Sequence, residues 1–239
     1  MNFENLTAKR IVMRRLFKQD LDTILNCYKK YDVLYYNPVN ENFLTDVLLN
    51  GEVWGAYLGS KVVVCCYFFP LESDFFKLSD TYSSLTDFID EPSKYMYMGY
   101  IGTNFDNISE EEKDFLEAEL DKTNGMYTVF LNVAHMQTFR QGLKYILHSV
   151  PLNLHQNPEP LFAAGYTLIK LRGLDNLVVH YIFAKAVLSC EDIYYTTDEN
   201  SHRLVSVSET KTVSACLENG YCAVDVSDDK YLMRKLITD

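Results

Sequence analysis

The chain has 239 residues, 48% of them hydrophobic, which is enough for one large domain or a domain with an appendage around a sizeable core. Its formal net charge of -11 excludes nucleic acid as a partner, which needs clustered Lys and Arg, and leaves room for a cationic substrate. Val62 to Pro70 is only strand-sized and MNFENLTAKR has no apolar segment, so neither a membrane span nor a signal peptide is expected.

The six cysteines show no C-x-x-C spacing, and Cys65-Cys66 falls inside an apolar strand. They read as reduced core residues of a cytoplasmic protein. The five histidines do not join them at metal-ligand spacing, so no zinc site is expected.

In chain order, Arg10 to Phe17 alternates apolar and basic residues, the pattern of a half-buried strand. Asp20 follows as an N-cap, and Leu21, Ile24, Leu25 and Tyr28 form a helical stripe. Asn40 to Leu49 predicts a second helix, closed by Asn50-Gly51. Val53 to Leu58 and Lys61 to Phe69 predict a hairpin through Gly59-Ser60. The second arm, VVVCCYFF, is apolar on both faces and belongs in the middle of a sheet. Leu71 to Ser93 is an excursion with one short helix around Ser83 to Ile89.

The unit that organises the fold is expected from Lys94 to Val133. Tyr95 to Thr103 is a strand whose Gly99 and Gly102 allow close backbone approach. Ser109 and Glu112 have capping-box spacing at the start of a helix that ends near Asn124-Gly125. Met126 to Val133 reads as a buried strand. Such a unit is a parallel crossover, and its loop lies at the carboxyl end of the first strand, where α/β sheets bind ligands. His135 to Val150 then reads as a helix, Pro151 to Pro160 as a loop, Leu161 to Gly165 as a helical turn, and Tyr166 to Leu171 with Leu177 to Phe183 as a hairpin. From about Ala186, short β-like runs (Ile193 to Thr197, Leu204 to Ser208, Val213 to Leu217, Tyr221 to Val226) suggest a small β-rich appendage or extra strands on the main sheet.

This order resembles the GNAT superfamily of acetyl-CoA-dependent N-acetyltransferases over roughly Leu6 to Lys185. LTAKRIVMRRLFKQDLDTIL is similar to the family's first strand and helix, with Thr7, Arg10, Arg14 and Asp20 in place. LFAAGYTLI looks like the "L-Y-x-x-x-G-F" ending of its last helix, and VWGAYLGSKVVV like its hairpin. The resemblance implies an α/β (α+β) fold: a mixed, mostly antiparallel GNAT-type sheet flanked by helices over residues 1–185, with a β-rich extension over 186–239. It also implies a V-shaped opening between the fourth and fifth strands, with acetyl-CoA as cofactor and an amine of a small molecule or peptide as acceptor.

The family's cofactor motif, Q/R-x-x-G-x-G/A, has no clear counterpart in Thr103 to Glu112, where Glu110, Glu111 and Glu112 fill the first helical turn. Carboxylates there neutralise the helix end and repel a pyrophosphate. FRQGLK, Phe139 to Lys144, looks like a damaged copy of the motif. The candidate cofactor residues are therefore Tyr100, Ile101, Gly102 and Thr103 at the strand end, with Arg140 in reach of a phosphate. Phe162 replaces the family's proton-donating Tyr, which leaves Tyr145 as a substitute acid. His135, at the end of the expected fifth strand, is the best base by its ordinary pKa. Three readings stay open: an active N-acetyltransferase; a GNAT-like protein that has lost acetyl-CoA and binds a ligand or partner; and a structural module that forms a homodimer through the β appendage.

Overall fold

A computed structural model of the chain describes residues 11–29, 39–106, 108–121, 125–151, 158–174, 178–187 and 197–237. The expected turn at Asn124, most of the loop 151–160, the hairpin turn at 175–176 and the strand start at Ile193 lie outside the described residues.

The chain lays down β1 (Ile11–Leu16), α1 (Leu21–Tyr28), α2 (Glu41–Asn50), β2 (Glu52–Leu58) and β3 (Lys61–Pro70). Two short helices follow, α3 (Asp74–Lys77) and α4 (Asp80–Thr86), before β4 (Tyr95–Met98) and β5 (Gly102–Thr103). Then come α5 (Glu110–Asp121), α6 (Met126–Arg140), β6 (Tyr145–Pro151), α7 (Glu159–Ala163), β7 (Thr167–Leu174) and β8 (Val178–Ala186). The last part is β9 (Thr197–Ser206), α8 (Thr210–Glu218), β10 (Tyr221–Ser227) and β11 (Lys230–Leu236).

These strands make one sheet in the order β1-β2-β3-β4-β6-β8-β7-β10-β11-β9, with β5 paired to β3. Only β4 and β6 run parallel; every other described pairing is antiparallel. The C-terminal strands join this sheet through β10 on β7, so they extend it rather than forming a detached cap.

The middle of the sheet is buried on both sides, as the two-faced apolar run of β3 requires. Val64, Cys66 and Phe68 pack under α5, α6, α7 and α8, beside Leu116, Phe130, Leu161 and Val213. Cys65, Tyr67 and Phe69 pack under α1 to α4, beside Ile24, Leu44, Phe76 and Leu85. Each fully buried aromatic or aliphatic side chain contributes about 1.5–3 kcal/mol.

Three sequence expectations are corrected. Met126 to Val133 is the first half of α6, not a strand: Met126, Tyr127, Phe130, Leu131 and Ala134 recur at helical spacing and are all buried. The β-forming composition of that run yields to the packing of this stripe against the sheet. His135 to Val150 is not one helix. It is interrupted at Gly142, whose φ of 69° turns the chain out of α6 and into β6. Tyr145 to Val150 is apolar on both faces because it lies in mid-sheet, which imitates helical spacing. Val213 to Leu217 belongs to α8, with Val213, Cys216 and Leu217 turned inward. The crossover survives, but the strand that returns parallel to β4 is β6.

Candidate functional site

Hydrogen bonding locates a fork in the sheet. β4 and β6 pair from Tyr95–Tyr145 to Met98–His148 and then part. One arm bulges at Gly99 to Ile101 and continues as β5, with Gly102 opposite Cys65 and Thr103 opposite Val64. The other arm continues along β8 as far as Pro151 opposite His180. The bulge is fixed by close contacts: a Cβ on Gly99 would lie 2.1 Å from the Tyr67 ring, and one on Gly102 would lie 2.8 Å from the Tyr28 ring. Tyr28 also donates its hydroxyl to the Tyr100 carbonyl at 3.2 Å and the Cys65 carbonyl at 3.3 Å.

His148 closes the apex of the fork. It is 1% exposed. Its Nδ1 is 3.0 Å from the Met98 carbonyl, which can only accept, so the proton is on Nδ1. Nε2 is therefore an acceptor, and Tyr127, in the first turn of α6, donates its hydroxyl to it at 3.0 Å. Burial pushes His148 down to about 4, against a smaller opposing effect of the Met98 bond, so the ring is neutral at pH 7. Tyr166 and Cys66 lie in electrostatic reach of Tyr127. Cys66 donates to the Gly99 carbonyl at 3.3 Å. Tyr166 is 1% exposed and its hydroxyl has no hydrogen-bond partner among the described residues. Burial is the main cause that raises the pKa of both tyrosines. Gly165, with φ of 81°, ends α7 and turns Tyr166 inward.

Two helices start near this end of the sheet. α5 carries the expected capping box: Ser109 N–H donates to Glu112 Oε2 at 2.9 Å, and Glu112 N–H to Ser109 Oγ at 3.3 Å. Glu112 of its acidic first turn is thus bound to the helix start, while Glu110 and Glu111 stay exposed. α6 is different. Gly125 is its N-cap with no side chain to offer, and its first turn holds no carboxylate. The N–H groups of a first helical turn have no partner within the helix, and they carry the positive end of its dipole.

The expected site residues scatter around this geometry. Tyr100, Ile101, Gly102 and Thr103 form one arm of the fork and are buried. His135 is two turns along α6 rather than at a strand end, half-buried, with Nδ1 unpartnered among the described residues. Burial first, then the charge of Lys185, lower its pKa. Tyr145 is at the start of β6 on the α1 side of the sheet, its ring 4.8 Å from that of Tyr95. Arg140 ends α6, about 20 Å of helix away from Tyr127, and donates to Gln137 at 3.4 Å. So the structure brings together the strand-end residues and leaves His135, Tyr145 and Arg140 away from the apex. Tyr127, His148 and Tyr166 escaped the sequence reading. A signal was present: Lys122-x-x-Gly125 directly before α6 follows the Q/R-x-x-G spacing with Lys in first place. It goes unnoticed once Met126 to Val133 is read as a strand.

Among the described residues no group of three or more His, Cys, Asp or Glu side chains is arranged to hold a metal ion, and no helix is long and apolar enough to cross a membrane.

No family model and no curated protein matches the chain. Solved structures do. The chain is similar to a probable acetyltransferase from Staphylococcus epidermidis, at 11% identity, covering 75% of this chain and 100% of that one, with a TM-score of 0.50. It is similar to yncA from Salmonella typhimurium, solved with its cofactor acetyl-CoA, at 10% identity, 75% and 95% coverage and a TM-score of 0.50. It is also similar to aminoglycoside acetyltransferase AAC(6')-Ib in complex with coenzyme A and kanamycin, at 8% identity, 74% and 95% coverage and a TM-score of 0.50. The chain has the GNAT acyltransferase fold: a mixed, largely antiparallel sheet flanked by helices.

Proposed function

We propose that the protein is an N-acetyltransferase that takes acetyl-CoA in the fork between β5 and β6 and acetylates an amine of a small molecule or peptide. The observation that carries this reading is the parting of the two parallel strands after Met98 and His148, with the first turn of α6, which starts at a glycine and holds no carboxylate, at its apex. That turn suits a pyrophosphate, because oriented N–H groups and a positive helix end favour an anion. The residues fit the cofactor in a second respect. The Tyr166 hydroxyl is a buried donor without an acceptor among the described residues, and burial leaves it protonated at neutral pH.

Acetyl-CoA would supply an activated acyl group and a thiolate leaving group. The chain's own part is positional. Tyr166 Oη would donate a hydrogen bond to the atom where negative charge develops. The Nδ1–H of His148, held by the Met98 carbonyl, fixes the ring so that Nε2 keeps Tyr127 oriented. The closed core on both faces of the sheet limits water near the reacting atoms.

The acidic turn of α5, with Glu112 engaged in capping its own helix, is not the turn assigned to the pyrophosphate; that of α6, without a carboxylate, is. The test is calorimetric titration with acetyl-CoA, followed by thiol release over a panel of amines. Wild type is expected to bind saturably. Thr128→Glu, which puts a carboxylate in the first turn of α6, is expected to bind about tenfold more weakly. Glu110→Gln/Glu111→Gln is expected to bind as wild type does. Absence of binding by the wild type would leave a GNAT-like ligand- or partner-binding protein instead.

A further inference from the structure

On the far side of β5 from the fork lies an open cleft of about 470 Å³. Its walls are Arg14 from β1, Asp20 and Thr23 at the start of α1, Tyr57 from β2, Lys61 at the hairpin turn and Asn104 after β5. A volume of this size takes a small organic molecule. β5 pairs with β3 on this side, and Asn104 N–H continues the pairing to the Val63 carbonyl at 2.9 Å, so the cleft is separate from the gap between β5 and β6.

The lining has an excess of donors. Arg14 holds its guanidinium 3.7 Å over the centre of the Tyr57 ring, and its N–H groups make no hydrogen bond or ion pair with the described residues. Tyr57 is 6% exposed and its hydroxyl has no partner among the described residues. Asn104 uses its side-chain oxygen to accept from Asp106 N–H at 3.2 Å, which leaves its amide N–H₂ as a donor. Asp20, the one carboxylate of the described lining, is tied back by Phe17 N–H at 2.9 Å. On a chain of net charge -11, a described lining that holds Arg14 and Lys61 with a single carboxylate is a local reversal of sign, although Lys61 has a partner of its own and only Arg14 counts as a donor. Arg stacked on an aromatic ring is held ready for a planar or tetrahedral oxyanion, because its fork of donors stays pointed outward at little entropic cost.

We propose that this cleft is a binding site for a small organic oxyanion, a carboxylate or a phosphate ester, held by Arg14 with the Tyr57 hydroxyl and the Asn104 amide as further donors. The site is independent of the acetyl-CoA fork.

Calorimetric titration of the full chain with inorganic phosphate and, separately, with succinate at constant ionic strength tests it. At least one probe is expected to bind saturably at millimolar concentration, and which one does so distinguishes phosphate from carboxylate. Arg14→Gln, an exposed position, is expected to weaken binding about tenfold or more, the value of a lost charge-assisted hydrogen bond. Tyr57→Phe removes only the orphaned hydroxyl; it is expected to weaken binding several-fold and to leave the unliganded melting temperature unchanged or higher. Acetyl-CoA titrations are expected to be the same for all three proteins, so loss of the cleft is distinguishable from loss of the fork. Equal anion binding by wild type and Arg14→Gln, or no saturable binding of either probe, overturns the proposal.

Discussion

The helices α5 and α6 start at the same end of the sheet and treat their first turns in opposite ways. α5 satisfies itself through Ser109 and Glu112, with Glu110 reaching Lys113 at 3.7 Å. α6 starts at a glycine, offers no carboxylate, and sends Tyr127 inward to His148. The difference shows that the turn nearest in sequence to a strand end is not necessarily the one that serves the ligand. α5 is an excursion between strand and crossover helix, and its acidic start is surface chemistry. The start of α6 is core chemistry, where each polar group depends on one partner in a medium that penalises its loss.

The largest effect expected from this contrast is on acidification. His148 and His180 are both held down to about 4 by burial, with the charge of His148 a second cause for His180. In the unfolded chain they titrate near 6.5. Between about 4 and 6.5 the unfolded state therefore binds more protons than the folded one, and stability falls as pH falls. It is complete above 6.5 and loses roughly 3 kcal/mol per histidine by the lower limit. Chemical denaturation from pH 7.5 downward checks this, and a flat profile across that window breaks the account of the apex.

Next in size is His148→Ala. It opens a cavity and leaves both the Met98 carbonyl and the Tyr127 hydroxyl without their present partners. A loss of about 3 kcal/mol or more is expected, together with a shallower pH dependence than wild type. Ser109→Ala removes one half of the α5 capping box and is expected to cost only about 1 kcal/mol. If it destabilises more than His148→Ala does, the two helix starts have been ranked in the wrong order. Smallest is Glu110→Gln, which removes one favourable charge from the positive end of α5 for about 0.3–1 kcal/mol. Thermal melts at low and high salt sharpen this last point, since salt should erase the difference between Glu110→Gln and wild type.

Much of the architecture was legible in the chain itself. β1, α1, α2 and the β2–β3 hairpin follow from local patterning. The capping box of α5 follows from residue types at fixed spacing, and the two-faced run of β3 from the need to bury both sides of a central strand. The glycines of the strand from Tyr95 to Thr103 signalled close approach, and Tyr67 and Tyr28 are what approaches them. Local sequence failed where both periods fit one stretch. MYTVFLNV carries strand-forming residues on a helical stripe, and YILHSV is apolar on both faces because it crosses the middle of the sheet. That double misreading moved the return strand and sent the search to His135, Tyr145 and Arg140.

The sequence by itself determined the kind of sheet and the order of most of its parts, because turn chemistry, capping and hydrophobic alternation act over a few residues. Only the tertiary structure decided where β4 and β6 part, and that His148 meets Tyr127 there across 21 positions of chain. Side chains from β3, α6, β6 and the end of α7 converge at that apex. No local pattern records such a meeting, since it is fixed by strand pairing between distant segments and by the burial that pairing imposes.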